Sequence, residues 1–197
     1  MSKTIKGINQ VQRASEEEGR NVKEQAEKAD SLFQTAKSFC VKFEFEKAVP
    51  YLLEAARLGD SRAMGHLANF YANGKGVERD EAESFRWATK AAIQGNPFGQ
   101  FQIGLHYLFG SSQVNPDDSQ ALYWFRQSAE QDYPSGLYYL GQCHYCGVGV
   151  ERNEDLAYEY FRKAADRGDL YSRKILAGET WCLLTDEWLS KARKESE

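Results

Sequence analysis

The stretch Leu140-Gly141-Gln142-Cys143-His144-Tyr145-Cys146-Gly147-Val148-Gly149-Val150 occurs three times in related form. Upstream it reads Ile103-Gly104-Leu105-His106-Tyr107-Leu108-Phe109-Gly110, and reaches Val114 after one extra loop residue. Earlier still it reads Leu67-Ala68-Asn69-Phe70-Tyr71-Ala72-Asn73-Gly74-Lys75-Gly76-Val77. The flanks follow the same register. Trp87, Trp124 and Tyr160 correspond, spaced 37 and then 36 residues, and Ala91-Ala92 matches Ser128-Ala129 and Ala164-Ala165. Gly95 matches Asp132 and Gly168. A period of this length, holding small and aromatic residues in phase, is the mark of a repeat architecture.

Each unit reads as two helices. Helix A is expected near 61–73, 97–109 and 134–146, and helix B near 80–94, 117–131 and 153–167. Asp80, Asp117 and Asn153 can cap helix B, since their short oxygens accept from the orphan backbone N–H groups of a first turn. Glu83 and Gln120 stand three residues on and suit a reciprocal capping box. Gly59, Gly95 and Gly168 suit the left-handed position that closes helix B. Pro97 and Pro134 suit the first turn of the next helix A, where a missing N–H is harmless. Pro50 falls in the early turns of the first helix B and is expected to delay or kink it.

Ala68, Gly104 and Gly141 lie mid-helix, where glycine costs ~1 kcal/mol against alanine. Repeating that cost points to a close neighbouring helix. Ala91-Ala92, Ala129 and Ala164-Ala165 are the expected small surface opposite, with Trp87, Trp124 and Tyr160 filling the wider gaps between units.

At these residues the chain resembles the Sel1-like repeat family, relatives of the tetratricopeptide repeats. The family pattern runs A-x-x-x-L-G-x-x-Y-x-x-G-x-G-V, then D, A-x-x-W and K-A-A-x-x-G. It is matched from Ala63 to Gly95 and from Gly136 to Gly168; the middle unit departs at Gly99, at Ser111-Ser112-Gln113 and at Asp132. The resemblance implies an all-α, right-handed α-α superhelical solenoid that binds proteins and is not an enzyme. The domain reading is a polar lead-in or helix over 1–28 and a divergent, tetratricopeptide-like first repeat over 29–60. Sel1-like repeats follow at 61–96, 97–133 and 134–169. A partial repeat with a capping helix near 185–194 fills 170–197.

Composition narrows the function. The 197 residues carry 25 Lys and Arg against 29 Asp and Glu, a dispersed net charge of -4, which gives no electrostatic case for nucleic acid. No apolar run approaches the ~18 residues of a membrane span. Four cysteines are too few for a disulfide scaffold and suit a reducing compartment, so a cytoplasmic location is expected.

Three features imitate chemistry. Gly74-Lys75-Gly76 and Gly147-Val148-Gly149 follow no strand and lack the rest of a phosphate loop, so they read as turns. Cys143 and Cys146, one turn apart, could share a metal, but two further ligands are missing and no cofactor is expected. His66, His106 and His144 fall at three different repeat phases, which supports no catalytic grouping.

A ligand is expected on the curved inner face lined by helix A. Phasing on the leucine-glycine pair places Gly65, Asn69 and Ala72 there, with Phe101, Leu105 and Leu108, and with Tyr138, Gln142 and Tyr145. The flanking units add Lys37 and Trp181. The peptide-binding residues expected from this phase are Asn69, Phe101, Leu105, Leu108, Tyr138, Gln142, Tyr145 and Trp181. Amides would bond a peptide backbone and rings would receive apolar anchors. An alternative is homo-oligomerisation through the Trp- and Leu-rich segment 181–189.

Overall fold

A computed structural model of the chain describes residues 2–179, with side chains from Glu18 onward. It consists of α1 (Ser2–Val41), α2 (Phe45–Arg57), α3 (Ser61–Asn73), α4 (Glu81–Ile93), α5 (Pro97–Phe109), α6 (Asp118–Ala129), α7 (Pro134–Cys146), α8 (Glu154–Asp166) and α9 (Leu170–Leu176). Among the described residues the only β feature is an isolated bridge, Ser111 to Val114, in the loop after α5. The lead-in is continuous with the first helix A, since α1 is a single helix. Pro50 lies inside α2, whose start at Phe45 it does not delay.

Consecutive helices pack as antiparallel hairpins, and each hairpin packs on the next, from α1–α2 through α7–α8 to α9. The caps explain where the helices begin. Asp80, Asp117 and Asn153 accept from Glu83, Gln120 and Leu156 N–H at 3.0, 2.9 and 3.0 Å. The reciprocal half of the capping box is absent. The cap residues' own N–H groups donate instead to Tyr71, Tyr107 and His144 carbonyls at 3.0, 2.7 and 2.8 Å. The last turn of helix A has unpaired carbonyls, and this bond satisfies one of them. Glu83 is thereby free to pair with Arg86.

Two glycines of the loop motif have a steric reason. A Cβ on Gly76 would lie 2.5 Å from the Phe45 carbonyl carbon, and one on Gly149 would lie 2.4 Å from the Asp118 oxygen. Each loop therefore presses backbone against the first turn of the preceding helix B, as only glycine permits.

The close helix approach is real, but its partners differ from the expected alanines. A Cβ on Gly104 would meet the Phe125 ring at 2.6 Å, and one on Gly141 the Phe161 ring at 2.7 Å. Large aromatic residues of helix B fill the mid-helix gap. The small residues of helix B face Gly99 and Gly136, at the start of the next helix A. Phe125, Phe161, Leu52, Leu67 and Leu140 are fully buried. Each such side chain contributes ~1.5–3 kcal/mol. The core extends in one line from Phe33 to Ile175, with Tyr107 packed against both halves.

Candidate functional site

Helix A forms the inner row. α3 packs on α5 and α5 on α7, whereas α4 and α6 meet the following hairpin chiefly through its helix A. Side chains spaced four, three and four along a helix share a stripe. On α3 that stripe is Arg62, His66, Asn69 and Asn73, all partly or fully exposed. Its equivalents are Phe98, Gln102, Leu105 and Phe109 on α5, and Ser135, Tyr139, Gln142 and Cys146 on α7. Neighbouring stripes touch. Arg62 donates to Asp30 at 2.7 Å, and the His66 ring lies 5.5 Å from Phe33 and 5.6 Å from Phe98.

Of the residues expected to line the groove, Asn69, Phe101, Leu105 and Tyr145 are half-buried. Leu108, Tyr138 and Gln142 are buried at 0, 4 and 0% exposure, so their side chains have almost no surface open to a ligand. Trp181 and the segment 181–189 lie outside the described residues, as does the capping helix near 185–194. The physical reason for the difference is rotational. A helix turns about 100° per residue: the two phases share Asn69, Leu105 and Gln142, and elsewhere the more open side chain stands one residue later at His66, Phe109 and Tyr139, but not at Gln102. Position 65 shows the effect: a Cβ there would meet Phe98 of the next unit at 3.2 Å.

The rings form a connected cluster at the middle unit. Phe101 lies 5.4 Å from Tyr139, 5.9 Å from Tyr133 and 6.4 Å from Phe98, and Phe98 lies 5.9 Å from Tyr133. Such separations suit attractive aromatic pairs. The leucine phase does not single out Tyr133. It occupies the cap position of α7, where Asp60, Asn96 and Asp169 cap the equivalent helices with side-chain bonds and Tyr133 makes none. Forgoing a polar cap costs ~1 kcal/mol. The signal that marks it in the sequence is the alignment of position 133 with three Asp or Asn positions.

Polar groups sit beside these rings. Asn69 Oδ1 accepts from Lys75 Nζ at 3.4 Å. Gln102, 6% exposed, carries a buried Nε2 that makes no hydrogen bond among the described residues. Burial pushes the Tyr139 hydroxyl up to about 12 and that of Tyr138 further. Both remain protonated donors at neutral pH.

Two contacts elsewhere resemble chemistry. Ser84 Oγ and His106 Nε2 are 3.0 Å apart across the α4–α5 seam. Ser84 is 1% exposed, so no substrate reaches it, and burial lowers the His106 pKa. The bond ties one unit to the next. Cys143 and Cys146 do not act as a reduced pair. Cys143 is fully buried with a free thiol pushed up to about 12, whereas Cys146 is held in a disulfide. That disulfide departs from the expectation of wholly reduced cysteines. Among the described residues no three His, Cys, Asp or Glu side chains converge to hold a metal ion. Among them, too, no helix is long and apolar enough to cross a membrane.

Stacked hairpins with an inner row of like helices define an α-solenoid repeat protein. The Sel1 repeat family model matches residues 44–60, 61–96, 97–133 and 134–169, and the chain belongs to the Sel1 repeat family. Among solved structures it is similar to c5321, a protective antigen of uropathogenic Escherichia coli with an SLR fold. That likeness has a TM-score of 0.65 and 30% identity over 81% of this chain and 35% of that one. A Sel1 repeat protein from Oxalobacter formigenes gives a TM-score of 0.56 and 34% identity over 64% of this chain and 95% of that one. Among curated proteins, the chitin synthase regulator SKT5 of Saccharomyces cerevisiae is 43% identical over 65 residues. The match spans 32% of this chain and only 9% of the yeast protein.

Proposed function

We propose that this chain is a non-catalytic adaptor that holds an extended or helical protein segment against its inner face. Sel1 repeat proteins generally act through protein–protein interaction. The observation that carries the finer reading is the α5 stripe. There Phe98 and Leu105 are half-buried on either side of Gln102, whose buried amide nitrogen makes no bond among the described residues. A buried unsatisfied donor costs ~1–3 kcal/mol. Rotation of the Gln102 side chain towards the surface would let a partner's backbone carbonyl satisfy it while apolar side chains settle on the neighbouring rings. The yeast relative's name, a regulator of an enzyme, fits a protein that works by binding.

The test is affinity purification of the full chain from its host with mass spectrometry, followed by direct binding of the recovered partner. Leu105→Glu places a charge on the stripe. It is expected to lower affinity at least tenfold while the helical circular dichroism signal and thermal midpoint stay near wild type. Undiminished binding by that variant would remove the inner-face assignment.

A further inference from the structure

Charge on the inner face is confined to one end. The α5 and α7 stripes hold no Lys, Arg, Asp or Glu. The end formed by α1 and α3 holds Lys37, Arg62 and Lys75 beside Asp30 and Asp60. Arg62 is already engaged, since it bonds Asp60 and Asp30 at 2.6 and 2.7 Å. Lys28 and Lys47 pair with Glu54 and Glu44. Lys37 and Lys75 take part in no ion pair among the described residues. On the adaptor reading, on which this depends, we propose that this end of the inner face receives an acidic side chain of the docked protein segment between Lys37 and Lys75.

Lys75 is the less ordinary of the two. It stands between Gly74 and Gly76, in the slot that Val148 fills in the third repeat. Val148 is 5% exposed and packs in the core. Lys75 reaches the inner stripe instead. Its Nζ lies 5.8 Å from the centre of the Phe45 ring and donates to Asn69 Oδ1 at 3.4 Å. Such a side chain lays its stem on apolar surface and keeps its charge in water. An ammonium carries three donors, so the bond to Asn69 leaves others for a ligand.

Both lysines act on the same place. Lys37 and Cys40 stand one turn apart on one face of α1. Burial raises the Cys40 pKa, against a backbone hydrogen bond and the Lys75 charge. Burial also lowers the His66 pKa; the Lys37 charge lowers it further, Asp60 pulls it back, and Lys75 adds a last push downward. Two like charges around one ring, with Asp30 and Asp60 both bound to Arg62, leave a positive field that a carboxylate would complement.

Beside the lysines the surface turns apolar at once. The His66 ring lies 5.6 Å from Phe98, which opens the cluster with Phe101 and Tyr133. Two lysines followed by uncharged rings suit a single carboxylate and not a polyanion, whose further charges would meet no cation. Neighbouring helix axes stand ~8–10 Å apart, and an extended chain advances ~3.3 Å per residue. A segment laid across the row would therefore carry its Asp or Glu about three residues from an aromatic or aliphatic anchor.

The test is selection of phage-displayed random dodecapeptides on the full chain, run in parallel on the double variant Lys37→Met with Lys75→Met. Methionine keeps the stem and removes the charge, and circular dichroism checks the variant's helical content. Wild type is expected to enrich peptides with Asp or Glu about three residues from an apolar anchor. The variant should enrich the anchors without the acid. In fluorescence anisotropy at low salt, a peptide selected on wild type should bind the variant about tenfold more weakly. Exchanging its acid for the amide should lose the same factor with wild type and nothing with the variant. Equal binding of acid and amide peptides by wild type overturns the carboxylate site without recourse to any variant. Enrichment of apolar anchors alone, or of an acid that the variant still selects, overturns it too and leaves the adaptor reading standing. No enrichment on wild type overturns both.

Discussion

Asp132 stands in the left-handed slot that Gly95 and Gly168 fill in the neighbouring units, with φ 57°, and its carboxylate accepts from Arg167 Nη2 at 2.7 Å. Aspartate is among the few residues that enter this region readily. The carboxylate also holds Arg167 more firmly protonated through their hydrogen bond. The position therefore tests backbone against charge. Asp132→Gly and Arg167→Ala should each shift the thermal midpoint little, because the pair is exposed to water on both sides. Asp132→Val should destabilise by ~1–2 kcal/mol, since a Cβ-branched residue resists a left-handed backbone. Differential scanning calorimetry of the three variants decides it.

Gly104 and Gly141 make the opposite prediction to helix propensity. In an open helix, Gly→Ala would stabilise by ~1 kcal/mol. Here the new methyl group meets the buried Phe125 or Phe161 ring at 2.6 or 2.7 Å. Overpacking costs ~1–3 kcal/mol, so Gly104→Ala and Gly141→Ala should each be destabilising on balance. Urea titrations measure this, and Phe125→Leu combined with Gly104→Ala should recover part of the loss. Stabilisation by either single variant would contradict the packing described.

Much of this architecture is legible in the amino-acid sequence. The 36- and 37-residue spacings mark the hairpin boundaries, because glycine, proline and short polar caps each have one local reason to stand where they do. The face of helix A is harder to read. A leucine phase marks the buried side, but it does not distinguish the groove from the seam with the next unit, and Tyr138 and Leu108 lie on the wrong side of that boundary. Tyr133 and the Ser84–His106 bond join different units, so their meaning depends on how far one hairpin is rotated against the next. The Cys146 disulfide is hidden by the low cysteine count.

Histidine burial sets a pH dependence. His66, His106 and His144 all have pKa values lowered chiefly by desolvation. The unfolded chain, with histidine near 6.5, takes up protons before the folded one as pH falls. The contribution is fully present above about 6.5 and is lost progressively as pH drops from there towards the folded values. The thermal midpoint should therefore fall between about pH 7.5 and 5.5, a window in which histidine is the side chain that titrates. His106→Gln, which can keep a bond to Ser84, should flatten that slope. An unchanged slope would mean that His106 charges freely in the fold.

Gln102 separates stability from binding. Gln102→Met retains volume and removes the unsatisfied amide nitrogen. It should stabilise the chain by ~1 kcal/mol and weaken partner binding, read by calorimetry on the same preparation. Stronger binding by the variant would count against a donor role for this amide.

The bonds from Asp80, Asp117 and Asn153 N–H to Tyr71, Tyr107 and His144 close every central hairpin from within its own residues. Each unit carries its own latch, and only neighbours share surface. Stretched between its ends, such a molecule should give way in instalments. Each release would free one period of chain, about 120 Å when drawn straight.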